Sequence, residues 1–337
     1  MEKRIDTPSG VFLIRPYQTG DEQSVLDLWR IAFGRDMPRE IWQWKFADNP
    51  FGGQILLCLH EEKYVVAMFA GLPYKARYMD LDCTVTHAVD NMSHPAYRGS
   101  ISGRKGLFVQ TAEAFFKTFA GLEGSAFVYG LPGARHFRLG SLLLGYRQLP
   151  GGTAYLEGET ERLFGKPKLF SGRIKTVPAD HAALDRLAWE LRGQYPFAVL
   201  RDGVFRHWRF ARHPLYEYET WLYSSFWNNT PKGYAVLKFM EDQAVIVDMM
   251  LPGKDNTALD FWARMARQLK GRGIKKLKTW LPGNHFQTGL LKASGFEEKQ
   301  EPLGIVPAAV AEDFQPGLHF SWAAQNFYYT MADGDLY

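Results

Sequence analysis

The sequence contains only two cysteines in 337 residues, Cys58 and Cys83. This excludes a fold held together by disulfide bonds, and each thiol is interpreted as buried and reduced. No uninterrupted apolar run of about 18 residues occurs, which is the length that a membrane-spanning helix requires. Charged side chains interrupt residues 1–30, so the apolar core of a signal peptide is missing as well. We therefore expect a soluble, cytoplasmic protein without a membrane partner.

Charge of one sign is also scarce. Forty Lys and Arg residues face 36 Asp and Glu residues, which gives a net charge of +4, and the bases do not form one block. This balance disfavours nucleic acid as a partner and is compatible with a small anionic ligand. We expect no bound metal. A chain of this length predicts two domains, each large enough to bury its own core.

The sequence repeats itself at two places. Leu131-Pro132-Gly133 is repeated as Leu281-Pro282-Gly283, and twelve residues after the last glycine the chain reads Gly145-Tyr146 in the first case and Gly295-Phe296 in the second. The second match is between Trp44–Ala47 and Trp208–Ala211. These matches predict two related units. We place them at residues 1–156 and 174–337, with a charged linker at 157–173.

In each unit a histidine-phenylalanine pair lies between the Leu-Pro-Gly segment and the glycine-aromatic pair. It is His136-Phe137 in the first unit and His285-Phe286 in the second. The pair occurs in both units, although only the first contains a basic glycine loop. We therefore interpret both histidines as packing or helix-capping residues.

The order of apolar periodicities is similar in the two units. In the first unit they predict a strand over Leu81–Met92, a helix over Gly106–Phe119, a strand over Ser125–Tyr129 and a helix over Ala134–Leu144. A strand, a helix and a hairpin precede them. The pattern predicts an α/β fold in which a mixed sheet is flanked by helices.

A basic loop with several glycines joins the strand that ends near Met92 to the helix that begins near Gly106. Unpaired backbone N–H groups and the positive end of a helix dipole converge at such a position, which is typical of an anion site. Arg98, Arg104 and Lys105 add full positive charges. The alternative is an ordinary surface loop before a buried helix.

This loop resembles the acyl-coenzyme A (CoA) binding motif of the GNAT acetyltransferase superfamily. His94–Gly99 matches the His-Pro-x-Tyr-Arg-Gly that leads into the family's loop, and Arg104–Phe108 is similar to the helix start. The resemblance implies two tandem GNAT-like domains, each with a mixed, mostly antiparallel sheet. It implies that the thioester lies between the strands that end near Met92 and Tyr129. The residues it assigns to the coenzyme are Met92, Arg98, Gly103, Arg104, Lys105, Gly106, Leu107 and Phe108.

Three features depart from the family pattern. About five residues, Gly99–Gly103, are inserted after the Tyr-Arg. The second unit has Leu251–Thr257 in the loop position, with one glycine and one base, which predicts a degenerate copy that binds no coenzyme in the usual way. The tyrosine that protonates the departing thiolate in many members is replaced by Ser141 in the first unit and by Leu291 in the second.

Attack by an amine requires a base that removes a proton from the ammonium form. Asp90 and His87 are the candidates, with loop hydrogen bonding for Asp90 and a core position for His87 as the alternatives. His94 precedes a proline, and we interpret it as shaping the turn. Tyr129 and Ser141 are the candidate acids for the thiolate.

These features predict a GNAT-type acyltransferase that uses acetyl-CoA or another acyl-CoA. The acceptor is a small polar amine or an amino sugar that attacks directly, since no Ser-His or Cys-His pair is visible. A terminal carboxylate at Tyr337 is a further candidate group, and a homodimer is left open. The alternative is a non-catalytic acyl-CoA-binding or structural module. A tandem aminoacyl transferase of the FemAB kind is disfavoured by the modest charge.

Overall fold

The computed structural model describes residues 2–98, 103–162, 167–253 and 257–336. Its strands are β1 Lys3–Thr7, β2 Gly10–Pro16, β3 Gln54–His60, β4 Tyr64–Tyr78, β5 Leu81–Ser93, β6 Phe127–Gly130, β7 Tyr146–Gln148, β8 Thr153–Glu159, β9 Gly172–Val177, β10 Phe197–Val199, β11 Glu219–Ser225, β12 Pro231–Met240, β13 Gln243–Met250, β14 Lys276–Pro282, β15 Glu297–Lys299, β16 Ala308–Val310 and β17 Phe327–Tyr328. Its α-helices are α1 Glu22–Phe33, α2 Arg39–Trp42, α3 Leu107–Phe119, α4 Ala134–Leu143, α5 Ala182–Leu191, α6 Gly203–Arg206, α7 Thr257–Gly271, α8 Phe286–Ala293 and α9 Phe320–Asn326.

The chain divides into two compact units. Unit 1 comprises Met1–Lys75, Cys83–Gln148 and Val306–Ser321, and unit 2 comprises Ala76–Asp82, Leu149–Ile305 and Trp322–Tyr337. This division differs from the one expected at residues 156 and 174. Residues 149–156 lie in unit 2, and β8 and β9 extend into the segment that we assigned to a linker. Charge and glycine content alone did not indicate that this segment forms strands.

The sheet of unit 1 has the order β1-β2-β3-β4-β5-β6-β16-β7. Strands β5 and β6 are parallel, whereas β1–β2, β2–β3, β6–β16 and β16–β7 are antiparallel. Strand β16 comes from far along the chain, and its Ala309 pairs with Tyr129 of β6 on one side and with Arg147 of β7 on the other. The predicted mixed, mostly antiparallel sheet is confirmed.

The sheet of unit 2 has the equivalent order β15-β8-β14-β13-β12-β11-β9, with β13 and β14 parallel. Strand β8 lies between β14 and β15, as β16 lies between β6 and β7 in unit 1. Strand β8 follows β7 in the chain, and β16 follows β15. The two copies have therefore exchanged their last strands, so that neither sheet is built from one continuous half of the sequence.

The second pair of repeated segments adopts the same local structure in both units. Trp44–Ala47 lies in a π-helical turn over Gln43–Ala47 that follows α2, and Trp208–Ala211 lies in one over His207–Ala211 that follows α6. A π-turn is rare and is often found at functional sites. Its occurrence at both repeats supports the interpretation of the sequence as a duplication.

Helix α3 forms because its apolar residues recur at helical spacing and cover one face. Leu107, Ala112 and Phe115 are buried against β2 and β3 residues that include Phe12 and Leu56. This packing holds the first turn of α3 near the end of β5. Among the described residues, no helix is both long and apolar enough to cross a membrane.

Candidate active site

Strands β5 and β6 pair over only part of their length. The parallel register runs from Val85–Phe127 to His87–Tyr129, whereas β5 continues to Ser93. Within this extension Asp90 adopts φ +52°, a left-handed conformation that bends the strand. Beyond His87, β5 therefore continues for six residues without β6 as a hydrogen-bonding partner.

The first turn of α3 begins beside this open end. Gly106 occupies the N-cap position and has no side chain that could accept a hydrogen bond from the first-turn amides. Its own N–H donates to the carbonyl of Gly103 at 3.0 Å, and Gly103 has φ +65°, which favours glycine. Residues 99–102 and the side chain of Arg104 lie outside the described part of the chain. The helix start thus has donors and a positive dipole available to an anion.

A cavity of about 560 Å³ opens at this helix start. Its walls are formed by Ala32, Phe33, Val66, Ala67, Asn91, Met92, Ser93, Tyr97, Arg98, Gly103, Gly106, Leu107, Phe108, Val109, Arg135, His136, Arg138, Leu139, Leu142 and Leu143. Among these described wall residues the charged side chains are all basic, and none is Asp or Glu. The cavity is large enough for a small-molecule ligand and suits one that carries negative charge and an apolar portion.

Two of the wall arginines lower the pKa of a histidine in the same wall. Burial lowers the pKa of His136 below its usual value, and the charges of Arg135 and Arg98 lower it further. The guanidinium of Arg98 is held by Ser93, to whose carbonyl it donates at 2.9 Å and to whose hydroxyl it donates at 3.2 Å. The wall therefore contains at least one guanidinium, that of Arg98, that is held in place by the protein itself.

Sequence reasoning placed Met92, Arg98, Gly103, Gly106, Leu107 and Phe108 at the coenzyme site, and all six line this cavity. Lys105 is exposed and is not among the wall residues. Arg135 and Arg138 were not predicted from the sequence. Together with Leu139 and Leu142 they recur at helical spacing on one face of α4, a pattern that could have indicated a basic, apolar helix face turned toward a ligand.

The candidate base Asp90 is engaged in a buried ion pair. The Lys45 ammonium donates to both of its carboxylate oxygens at 2.9 Å, and the two side chains are 5% and 3% exposed. Lys45 belongs to the π-helical turn and also lies 6.0 Å from the ring centre of Trp29. This arrangement favours Asp90 as the anchor between the bent strand and the π-turn.

The candidates His87 and Tyr129 occupy one register position of β5 and β6. Their rings are stacked with centroids 5.1 Å apart, and each residue is 1% exposed. They lie at the last paired position of the two strands, outside the cavity wall. Ser141 is on the exposed face of α4 and is not among the wall residues either. The structure thus groups the coenzyme candidates but does not bring the four catalytic candidates together.

Three histidines that the sequence analysis interpreted as structural occupy different positions. His94 caps the short helix Pro95–Tyr97 by accepting from Ala96 N–H at 3.2 Å, which confirms the predicted turn-shaping role. His285 caps α8 by accepting from Gln287 N–H. His136 does not cap α4, whose N-cap is Gly133, and it lines the cavity. The helix-capping interpretation is therefore confirmed for His285 and wrong for His136.

In unit 2 the chain itself occupies the corresponding part of the sheet. Strand β13 continues beyond its parallel pairing with β14, and its backbone there is bonded by two tyrosines. Tyr328 Oη donates to the Met249 carbonyl at 2.7 Å. Tyr195 Oη donates to the Leu251 carbonyl at 2.7 Å and accepts from the Leu251 N–H at 2.9 Å. These backbone groups are already used within the protein.

A buried charge cluster lies beside this part of β13 in unit 2. Arg201 binds Asp248 at 3.1 Å and Asp333 at 2.9 Å, and Thr330 donates to Asp248 at 2.9 Å. Burial raises the pKa of Asp333, and the charge of Arg201 opposes this rise. Asp333 and Thr330 come from the last described segment of the chain, and Tyr337 itself lies outside the described residues. Asp248, which lies on β13 beyond its pairing with β14, is therefore bonded by side chains from distant segments of the chain.

No protein-family model matches the sequence, and a search of curated proteins gives no match. Solved structures do match. A protein of unknown function from Enterococcus faecalis V583, described as a probable N-acyltransferase, is 16% identical, with a TM-score of 0.65 over 88% of this chain and 72% of its own. A GCN5-related N-acetyltransferase from Anabaena variabilis ATCC 29413 is 14% identical, with a TM-score of 0.66 over the same shares.

A third match is a GCN5-related glucosamine N-acetyltransferase region in a fungal multi-domain GH3 β-N-acetylglucosaminidase. It is 12% identical, with a TM-score of 0.59 over 88% of this chain and 38% of that one. These structures share an α/β fold with a mixed sheet. The chain has the fold of the GCN5-related N-acetyltransferases, as the sequence resemblance implied.

Proposed function

We propose that unit 1 is an acyl-CoA-dependent N-acyltransferase and that unit 2 is a degenerate copy without a coenzyme site. The observation that carries the proposal is the basic cavity at the uncapped start of α3, beside the strand that continues beyond its parallel neighbour. CoA combines phosphates with an uncharged pantetheine arm, and the cavity walls offer both basic and uncharged partners. In unit 2 the equivalent backbone groups bind Tyr195 and Tyr328 instead.

The acyl transfer requires little acid catalysis by the protein. A thiol with a pKa of about 8.5 that leaves as its thiolate at pH 7 costs only about 2 kcal/mol. Backbone donors near the part of β5 that continues beyond β6 stabilise charge that develops on a thioester oxygen. An amine acceptor must lose a proton before it attacks, and this proton passes to water or to a side chain near the end of β5. We expect acetyl-CoA as the acyl donor.

The acceptor that we propose is a small polar amine or an amino sugar. The fungal match is described as a glucosamine N-acetyltransferase region, which makes glucosamine a suitable first acceptor to test. A second candidate function is a non-catalytic acyl-CoA-binding module. It is favoured by the engagement of Asp90 with Lys45 and by the exposed position of Ser141.

Calorimetry with acetyl-CoA tests the proposal. The variant Arg98→Glu with Arg135→Glu reverses two charges of the cavity wall, and we expect affinity to fall at least about tenfold. Arg147→Glu is the control, because Arg147 is exposed on β7 and is not a wall residue. Thiol release is then measured with glucosamine and a panel of simple amines.

Each outcome separates the candidates. Binding that the double variant weakens, together with thiol release, supports the acyltransferase. Binding without thiol release for any amine supports the binding module. If the unaltered protein binds no acetyl-CoA at millimolar concentration, both functions are refuted.

A further inference from the structure

The repeated Leu-Pro-Gly segments differ by one residue before the histidine. The first reads Gly133-Ala134-Arg135-His136, and the second reads Gly283-Asn284-His285. The histidine is thus three residues after the glycine in unit 1 and two residues after it in unit 2. One residue rotates a helical position by about 100°, which is enough to turn a side chain to another face.

The two histidines accordingly have different environments. His285 is the N-cap of α8, and burial lowers its pKa to about 3. His136 is the third residue of α4, within the first turn, and belongs to the cavity wall. A capping role therefore explains the histidine of unit 2 but leaves that of unit 1 available for a ligand.

Basic groups surround His136. Arg135 and Arg138 lie on its own helix, and Arg98 reaches the wall from the segment after β5. Tyr97 is the other titratable residue of that segment in the wall, and β4, β5, α1 and α3 contribute uncharged side chains to it. The N-terminus of α4 adds a partial positive charge. A proton on His136 is disfavoured until negative charge arrives, and a phosphate group supplies that charge.

We propose that His136 is a ligand-recognition residue that takes up one proton from solvent when a phosphate group of the ligand binds beside Arg98 and Arg135. The only bond formed is the N–H bond of the imidazolium, which then donates to a phosphate oxygen. The identity of the ligand as acyl-CoA rests on the proposed function. The recognition chemistry itself requires only a phosphate group.

The direction of the pH dependence follows from linkage. In the free protein burial, together with the charges of Arg135 and Arg98, holds the pKa of His136 below its ordinary value, and we expect bound phosphate to raise it. Affinity therefore strengthens as the pH falls from above the bound-state pKa to below the free-state pKa. A difference of one pKa unit sets a tenfold limit, so between pH 8 and pH 5.5 we expect the affinity of the unaltered protein to gain about three- to tenfold relative to that of His136→Gln.

Calorimetry in two buffers of different ionisation enthalpy measures the protons taken up when CoA binds. We expect uptake by the unaltered protein and by His181→Gln, a variant of an exposed capping histidine in unit 2. We expect His136→Gln to lose it. Phosphate monoesters also titrate near pH 6, and this contribution cancels because every variant binds the same ligand. Equal uptake and equal pH dependence in His136→Gln would overturn the inference.

A direct readout follows the histidine in the unaltered protein and uses the variant only to assign its resonance. The imidazole resonances of the nine histidines are titrated in the free protein and with CoA, dephospho-CoA or inorganic pyrophosphate. We expect one histidine, assigned through its absence in His136→Gln, to raise its pKa with ligand. Loss of the effect with dephospho-CoA indicates the 3′-phosphate, and its retention with pyrophosphate indicates the diphosphate.

The titrations with CoA and with pyrophosphate also distinguish failure of the inference from failure of the proposed function. If pyrophosphate shifts His136 but CoA does not bind, the inference stands and the acyl-CoA function is refuted. If CoA binds without shifting His136, the inference is refuted and the acyl-CoA function stands. If no phosphate compound binds at millimolar concentration, both are refuted.

Discussion

Replacing Lys45 by methionine removes the ammonium group that holds the Asp90 carboxylate within unit 1. The two side chains are 5% and 3% exposed, and the nitrogen lies 2.9 Å from both oxygens. Removal of one partner from so buried a pair leaves a charge without its counterion, at a cost of about 3–5 kcal/mol. For a domain of this size, we expect the midpoint of thermal unfolding to fall by about 6–20 °C.

A double-mutant cycle separates the pair from other effects of each substitution. Asp90→Asn is a clean partner, because asparagine tolerates the positive φ that residue 90 adopts. The double variant Lys45→Met with Asp90→Asn contains no buried charge at this pair, so it should recover much of the loss. We expect a coupling energy of at least about 2 kcal/mol, measured by urea unfolding monitored through circular dichroism.

Two results would refute the reasoning. A loss below about 1 kcal/mol in Lys45→Met would mean that the pair is solvated in solution. Acyl transfer measured well below the unfolding midpoint tests the catalytic alternative. If Asp90 is an anchor, the double variant retains activity. If Asp90→Asn and the double variant both lose turnover with unchanged KM, Asp90 acts as the base.

Two further predictions concern strand exchange and acid stability. Ala309→Pro removes an N–H from a strand that is paired on both sides, so the free energy of unfolding of unit 1 should fall by at least about 1–3 kcal/mol. Ala309→Gly retains the N–H and buries no polar group, so it should lose only about 0.5–1 kcal/mol. Equal midpoints for the two variants would argue against the exchanged strand. His285 has its pKa lowered to about 3 by burial, so the unfolded state binds the proton first and stability is lost as the pH falls from 6.5 to 3, by up to about 4 kcal/mol. His285→Gln should flatten this dependence in acid unfolding curves, and an unchanged slope would contradict the burial of the ring.

Several features were predictable because they are written in local pattern. The helix that begins near Gly106 and the strand over Leu81–Met92 follow from apolar spacing, and the observed bounds differ by about one residue. The coenzyme candidates Arg98 and Gly103–Phe108 were grouped because they are neighbours in sequence at a strand-to-helix loop. The order of residues along the chain was therefore enough to predict most of the wall residues that this loop contributes to the cavity.

The catalytic candidates could not be assigned in the same way. Asp90 was considered a base because it lies in an apolar stretch, yet its partner Lys45 is distant in sequence and reaches it only through the π-turn. Ser141 was taken from a family position, but the phase of α4 leaves it exposed. Burial and pairing are properties of the folded chain, and no spacing rule contains them.

By itself the sequence determined the repeated segments, the mixed α/β fold class and the position of the basic glycine loop along the chain, because repeats, periodicity and helix starts are local. Tertiary structure alone decided how the strand backbone of unit 2 is used, since Tyr195 and Tyr328 reach its carbonyl groups from distant segments. It also decided that β8 and β16 complete sheets other than those nearest in the chain. Strand pairing selects complementary edges in space, and contiguity in sequence does not constrain that choice.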